Sequence, residues 1–385
     1  MNNRTFSPLT EPARRQKSPR PQMLVPILLL IVVAAFLIFS KNPPSGSGAK
    51  GNPAIPTREP GTIEALFYDQ LPELLEDSGG KDWNLDEVIF NGDKTESLIW
   101  MAEKDPDTGE TLAREPQTIL AQWNAEHKTW QLHLSNEEDF AALLNSSTFK
   151  DSEYASQFST DDSKSTSSGV IYGGYKLPWR GGQTKRLTWS VGHNSCAPGY
   201  CTYAFDFADG TMFDILATKS GFVYHWRDTC NNGDSSCTNS ITLEDRSTTP
   251  WTYMIYLHIA NNSIPPVLKN RGIYVQQGQK VANADDTGAS TGHHLHFMVV
   301  ERGSLNACTN YCWGRSVDIT FRDVNINWDA GTQGGRPRLP SEAEWYGGTG
   351  RTSYTSGNTF RPGPGAAFQY YLPTLSKYYS VTPLD

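Results

Sequence analysis

An uninterrupted apolar run from Met23 to Phe39, seventeen residues without a charged or polar side chain, sets the first limit on this chain. That length is the short end of what crosses a bilayer as a helix. Arg4, Arg14, Arg15, Lys17 and Arg20 precede the run against the single acid Glu11, and only Lys41 follows closely. Basic flanks stay on the cytoplasmic side. The expectation is therefore a single-pass membrane protein, with residues 1–22 a cytoplasmic basic tail, 23–40 a transmembrane signal anchor and the rest extracytoplasmic. A cleaved signal peptide is the alternative, but no small-x-small site follows the apolar core before Lys41. Either reading exports the chain beyond residue 40.

The net charge of −8 conceals an asymmetry, because beyond residue 22 the chain has 28 basic against 40 acidic residues. An acidic ectodomain lacks the electrostatic footprint of a phosphate-backbone binder, so no nucleic-acid partner is expected. All six cysteines lie after residue 190, in the close pairs Cys196/Cys201, Cys230/Cys237 and Cys308/Cys312. An even count in an exported segment fits disulfides, local ones being the economical choice among 15 connectivities. A structural zinc site is the rival, and no pair has a second pair at zinc-finger spacing.

Residues 41–61 are rich in Pro, Gly and Ser and read as a linker. Ile63, Leu66, Phe67, Leu71, Leu74 and Leu75 then recur at helical spacing up to Gly79-Gly80, with Pro72 as a point of kinking or splitting. Strand-like runs follow at Glu96–Glu103, Thr118–Asn124 and Thr129–Leu134, completing a small α+β module over 62–149. The Ser/Thr/Asp-rich stretch 150–169 is expected to be a second linker. From 170 to 324 short strand-like runs recur between turns without long helical patterns, which predicts a mainly β, antiparallel domain. A C-terminal extension, 325–385, has no function assigned to it.

The chemistry-bearing signal is Ser290-Thr291-Gly292-His293-His294-Leu295-His296-Phe297. On a strand, residues two apart face the same way, so His294 and His296 project together while Leu295 faces the core. Tyr256-Leu257-His258-Ile259 closes another apolar strand with a histidine, and Gly192-His193 lies upstream of Ala204-Phe205-Asp206-Phe207. A carboxylate among aromatics calls for a cation or hydrogen-bond donors. Taken singly, each residue also has an ordinary structural reading: a satisfied core histidine, a turn residue, a capped aspartate.

Together these segments resemble the lysostaphin-type zinc endopeptidases, the LytM and LasA group that cuts peptidoglycan peptides. The Val275-Gln276-Gln277-Gly278-Gln279-Lys280-Val281 turn adds to the likeness, which covers about residues 170–324. The resemblance implies that His193, Asp206 and His296 bind Zn2+ and that His258 and His294 serve catalysis beside it, leaving one coordination position open, as in catalytic zinc sites. Two departures stand out. The first His and the Asp are thirteen residues apart where the family has four, with Cys196 and Cys201 inside the insertion, and His293 replaces a residue that is often proline. His225, nineteen residues past Asp206, is the rival third ligand, although its order would be reversed. The implied activity is hydrolysis of peptidoglycan peptides by a zinc metallopeptidase at the cell membrane. The alternatives are a zinc-free wall-binding regulator of other hydrolases and a protease of secreted proteins.

Overall fold

The computed structural model describes residues 62–77, 83–105, 108–158, 170–193, 195–197, 199–324, 326, 352–360, 368–372 and 377–381. The expected anchor at 23–40, its basic tail and the 41–61 linker lie outside these residues. No helix among the described residues is long and apolar enough to cross a membrane.

Helix α1 (Ile63–Asp77) begins where the Thr62 hydroxyl accepts the Ala65 N–H at 3.1 Å, a side-chain cap on a first-turn amide. Pro72 lies inside the helix and does not divide it. Phe67 and Leu71 drop from it onto an antiparallel sheet of β1 (Trp83–Phe90), β2 (Glu96–Glu103), β3 (Gln117–Asn124) and β4 (Thr129–Leu134), in that order. In β2, Ile99 and Met101 meet the helix while Leu98 and Trp100 face the other way. That second face is not solvated. Leu98, Trp100 and Leu120 pack with Phe140 and Leu144 of α2 (Phe140–Ser146) and with Ile255, Met298 and Val300 of the following domain.

The stretch expected to be a linker from residue 150 therefore opens with packed chain. Tyr154–Phe158 form a 3-10 turn in which Tyr154, Ala155 and Phe158 are buried in this shared cluster. Two aromatic side chains outweigh the polar composition around them.

The larger domain runs through β5 (Tyr172–Tyr175), β6 (Thr184–Trp189), β7 (Phe205–Ala208), β8 (Phe213–Leu216), β9 (Gly221–Arg227), β10 (Ser240–Asp245) and β11 (Thr252–Leu257). It continues with β12 (Tyr274–Val275), β13 (Lys280–Ala284), β14 (His294–Leu305), β15 (Gly314–Ser316) and β16 (Ile319–Phe321). Its main sheet is antiparallel in the order β12-β9-β10-β11-β14-β7-β6, with β15 also on β14. The one parallel pairing among the described strands is β5 with β16. The fold is thus mainly β and antiparallel, with few helices.

On β14 the alternation is strict: Leu295, Phe297 and Val299 enter the domain core, while Met298 and Val300 enter the cluster under the N-terminal module. Burying each large apolar side chain contributes about 1.5–3 kcal/mol. Part of the expected C-terminal extension belongs to the domain, since β17 (Ser353–Thr355) pairs antiparallel with the edge of β6 and Tyr354 joins the core. An open edge takes a partner strand that satisfies its backbone groups. A last antiparallel pair, β18 (Phe368–Leu372) and β19 (Lys377–Val381), follows. The cysteines form Cys196–Cys201, Cys230–Cys237 and Cys308–Cys312, the local pairing.

Candidate metal centre

Three adjacent strands bring the expected residues together. His296 on β14 stands opposite Asp206 on β7 and opposite Leu257 on β11, so His258 follows just beyond the end of β11. His258 itself takes a left-handed backbone, φ 57°, rare for a residue with a side chain, as the chain turns away from the sheet. Asp206 shares the His294 and His296 face because Phe205 and Phe207 occupy the opposite, core side. Asp206, His258, His294 and His296 have no solvent exposure at all.

His193 reaches this cluster through the turn after β6. Gly192 has φ 102° and its N–H donates to the Thr202 carbonyl at 2.7 Å, reversing the chain into the loop that Cys196–Cys201 closes. The His193 ring stacks on Trp189 with centroids 4.4 Å apart. Its Nδ1–H donates to the Ser190 carbonyl at 2.6 Å, which leaves Nε2 facing Asp206 Oδ2 at 3.1 Å. His225 lies on β9 opposite Thr242, half-buried near Arg227 and Arg271, outside this cluster.

Hydrogen bonds fix the other rings. His258 Nδ1–H donates to the Thr287 carbonyl at 2.7 Å. His294 Nδ1–H is shared between the Ser290 hydroxyl at 2.9 Å and the Gly292 carbonyl at 3.0 Å. Both imidazoles therefore turn Nε2 inward, with ring centroids 4.6 Å apart. His296 does the reverse: its Nδ1 lies 3.0 Å from Asp206 Oδ1. His293 points away from the cluster and sits 2.6 Å from Asp285 Oδ1, which raises its pKa.

The N-terminal module contributes a residue that sequence reasoning missed. Glu115, on the strip between β2 and β3, places Oε1 3.2 Å from His296 Nδ1 and 3.4 Å from His258 Nε2, and its other oxygen accepts the Ser195 hydroxyl. Its N–H donates to Asp206 Oδ2 at 3.1 Å. Glu115, His193 and His296 offer ligand atoms within 4.8 Å of one another. Nothing in the sequence marks Glu115 among 41 acidic residues, 78 positions before His193 and in another module.

The electrostatics of the cluster call for positive charge. Burial pushes both carboxyls up, but neighbouring histidines outweigh it: His193 foremost holds Asp206 well below the usual range, and His296 foremost brings Glu115 to about 2. Burial lowers His296, yet Glu115 and Asp206 overcome that and raise it. Burial foremost, with the neighbouring His258, outweighs the Asp206 carboxylate and drives His294 down to about 4, leaving it neutral near pH 7.

His193 Nε2 is buried and makes no hydrogen bond of proper angle despite its 3.1 Å approach to Asp206. A buried nitrogen left unpaired beside a carboxylate is a costly arrangement that a shared cation relieves. A mixed imidazole and carboxylate set suits zinc. His193 Nε2, Asp206 and His296 Nδ1 thus fit a metal, and Glu115 also offers a ligand atom near His193 and His296.

Residues 201–307 match the model of peptidase family M23. No curated protein matches the chain. Among solved structures, the chain is similar to the SpoIIIAH and SpoIIQ complex at 18% identity, covering 34% of this chain and 94% of that one, with a TM-score of 0.25. It is similar also to the catalytic domain of the antimicrobial peptidase lysostaphin from Staphylococcus simulans, at 21% identity over 35% of this chain and 87% of that one, TM-score 0.23. A zinc-containing peptidase from Vibrio cholerae aligns at 15% identity over 69% of this chain and 98% of that one, TM-score 0.23. The family match begins after His193 and takes in Asp206, His258, His294 and His296, the residues through which the sequence resembles the lysostaphin-type peptidases: the stretch 201–307 belongs to peptidase family M23.

Proposed function

We infer that this chain is a zinc metalloendopeptidase that hydrolyses peptide bonds in cell-wall peptidoglycan, held at the membrane by residues 23–40 with its catalytic domain outside the cytoplasm. The observation that carries the reading is the convergence of His193 Nε2, Asp206 and His296 Nδ1 beside two further imidazoles whose Nε2 atoms face inward. The substrate class rests on the family match, and the membrane location on the apolar run with its basic flank.

When bound, zinc supplies a Lewis acid that polarises the scissile carbonyl and makes a water more acidic. The protein's own groups do the rest. His193, Asp206 and His296 hold the ion. His258 and His294, with their Nδ1 atoms committed to backbone carbonyls, turn their Nε2 atoms inward to orient the attacking water, accept its proton and return it to the leaving amine. Neutral His294 is available for this across the physiological range.

Parallel digestion of purified wall and of a casein-like protein, followed by mass spectrometry, tests the reading. New amino termini in the wall peptides, absent after zinc removal, are expected. Zinc-dependent cleavage of casein alone would move the substrate to secreted proteins, and cleavage of neither by a zinc-loaded chain would leave a non-catalytic wall binder.

A further inference from the structure

Outside the centre, the described residues bring one further set of imidazole and carboxylate groups together, where β13 ends and β14 begins. Asp285, Asp286 and His293 each offer a ligand atom, and the three atoms lie within 4.8 Å of one another. Asp285 is the anchor. Its N–H donates to the His258 carbonyl at 2.7 Å and its own carbonyl accepts the His294 N–H at 3.1 Å, so its backbone is clamped between the two histidines that flank the centre. The Asp285 side chain is wholly buried, and neither carboxylate oxygen has a hydrogen bond among the described residues.

His293 Nδ1 comes within 2.6 Å of Asp285 Oδ1, yet it too is buried and makes no hydrogen bond of proper angle. Asp286 is fastened by Oδ1, which accepts the Gly233 N–H at 2.8 Å inside the loop closed by Cys230–Cys237. The Gly288 N–H donates to the Asp234 carbonyl at 2.8 Å and ties the same loop to the chain between Asp286 and His293.

Two carboxylates here meet a single imidazole. Burial foremost raises the Asp285 pKa, the His293 contact lowers it and the Asp286 charge raises it again, leaving it above its ordinary value. A buried carboxylate in that state lacks positive charge, which a shared cation supplies. One imidazole with two carboxylates suits a divalent transition ion such as zinc better than calcium, which takes oxygen ligands. The His293 side chain is 27% exposed and Asp286 is half-buried, so water can complete the coordination.

We propose that Asp285, Asp286 and His293 form a second, weaker zinc site beside the centre. None of its ligands belongs to the centre, so it stands independently of the metalloendopeptidase reading. Zinc lies about 2.0–2.2 Å from such ligands, so His293 and Asp285 move slightly apart as the ion enters. A bound ion fastens the Asp285 side chain and, through its backbone, the segments that end in His258 and begin with His294. With three protein ligands and an open side, the site loads from added zinc and empties on dialysis.

The test dialyses the full chain and its Asp206→Ala variant, which lacks the central ligand set, against a series of free zinc concentrations and measures bound metal and Tm. The parent is expected to take up a second ion in a weaker step, and Asp206→Ala to show that step alone. The Tm of both should rise with zinc once that step begins. His293→Gln and Asp286→Asn, which leave the central ligands in place, are each expected to weaken the step about tenfold or more and to remove the accompanying rise in Tm. In the unsubstituted chain the imidazole nitrogen resonances of His293 should shift with the same step. A parent that binds no ion beyond the central one, or a second step that both substitutions leave intact, would overturn the proposal and leave His293 and Asp285 as an ion pair. Calcium held more tightly than zinc would overturn it as well, since an imidazole adds nothing for that ion. A parent that shows only the step removed by His293→Gln would support this site and count against the metalloendopeptidase reading alone.

Discussion

His193 Nε2 lies 3.1 Å from Asp206 Oδ2 across a thirteen-residue separation, brought there by the Gly192 turn and the Cys196–Cys201 loop. Elemental analysis should accordingly find one zinc per chain, lost in His193→Ala, Asp206→Ala and His296→Ala. The His225→Ala protein should keep it, because that ring is on β9 away from the centre. Zinc retained by His193→Ala and lost by His225→Ala would reverse the assignment.

His258→Ala and His294→Ala should keep their zinc and lose turnover by roughly 100-fold or more, the usual scale of a positioned proton-transfer group. Equal zinc loss in these and in Asp206→Ala would mean that they are ligands and not proton-transfer groups.

Removing the Cys196–Cys201 bridge by a double substitution to alanine should cost about 2 kcal/mol, as a short closed loop gives only modest stabilisation. Denaturant midpoints measure this. The same protein should bind zinc more weakly, since His193 and Ser195 sit at the mouth of that loop.

Leu295→Ala should destabilise the domain by about 2–5 kcal/mol, because Leu295 is fully buried and flanked by two site histidines on the opposite face. A calorimetric shift within error of the parent would show that the β14 alternation matters less than its burial implies.

The stability of the zinc-free protein should have two acid windows. His294 is held at about 4 by burial, below its ordinary 6.5, so its contribution is complete above about pH 6.5 and lost as pH falls towards 4. Glu115 would be raised by burial, but the His296 charge and the His258 hydrogen bond bring it to about 2, so its contribution is lost between about 4.5 and 2. Denaturant titrations at stepped pH should flatten in the upper window for His294→Gln and in the lower one for Glu115→Gln. A single transition unaffected by either would contradict the burial of these groups.

Whatever a strand, a helix or a short loop enforces locally was legible in the sequence. The period of two on β14 puts His294 and His296 on one face and Leu295 on the other, the 3.6 period places Phe67 and Leu71 on one side of α1, and closely spaced cysteines pair with each other. Which distant groups share a buried space was settled by tertiary packing. Only packing of the second face of β2 and β3 onto β11 and β14 brings Glu115 over His296, and only the open edge of β6 draws in Ser353–Thr355. No periodicity encodes such encounters, because a carboxylate far along the chain meets an imidazole through the sum of all the burial between them. The same cause hid Tyr154 and Phe158 in a Ser-rich stretch, where composition speaks for solvent and two aromatic rings, given a core to enter, decide otherwise.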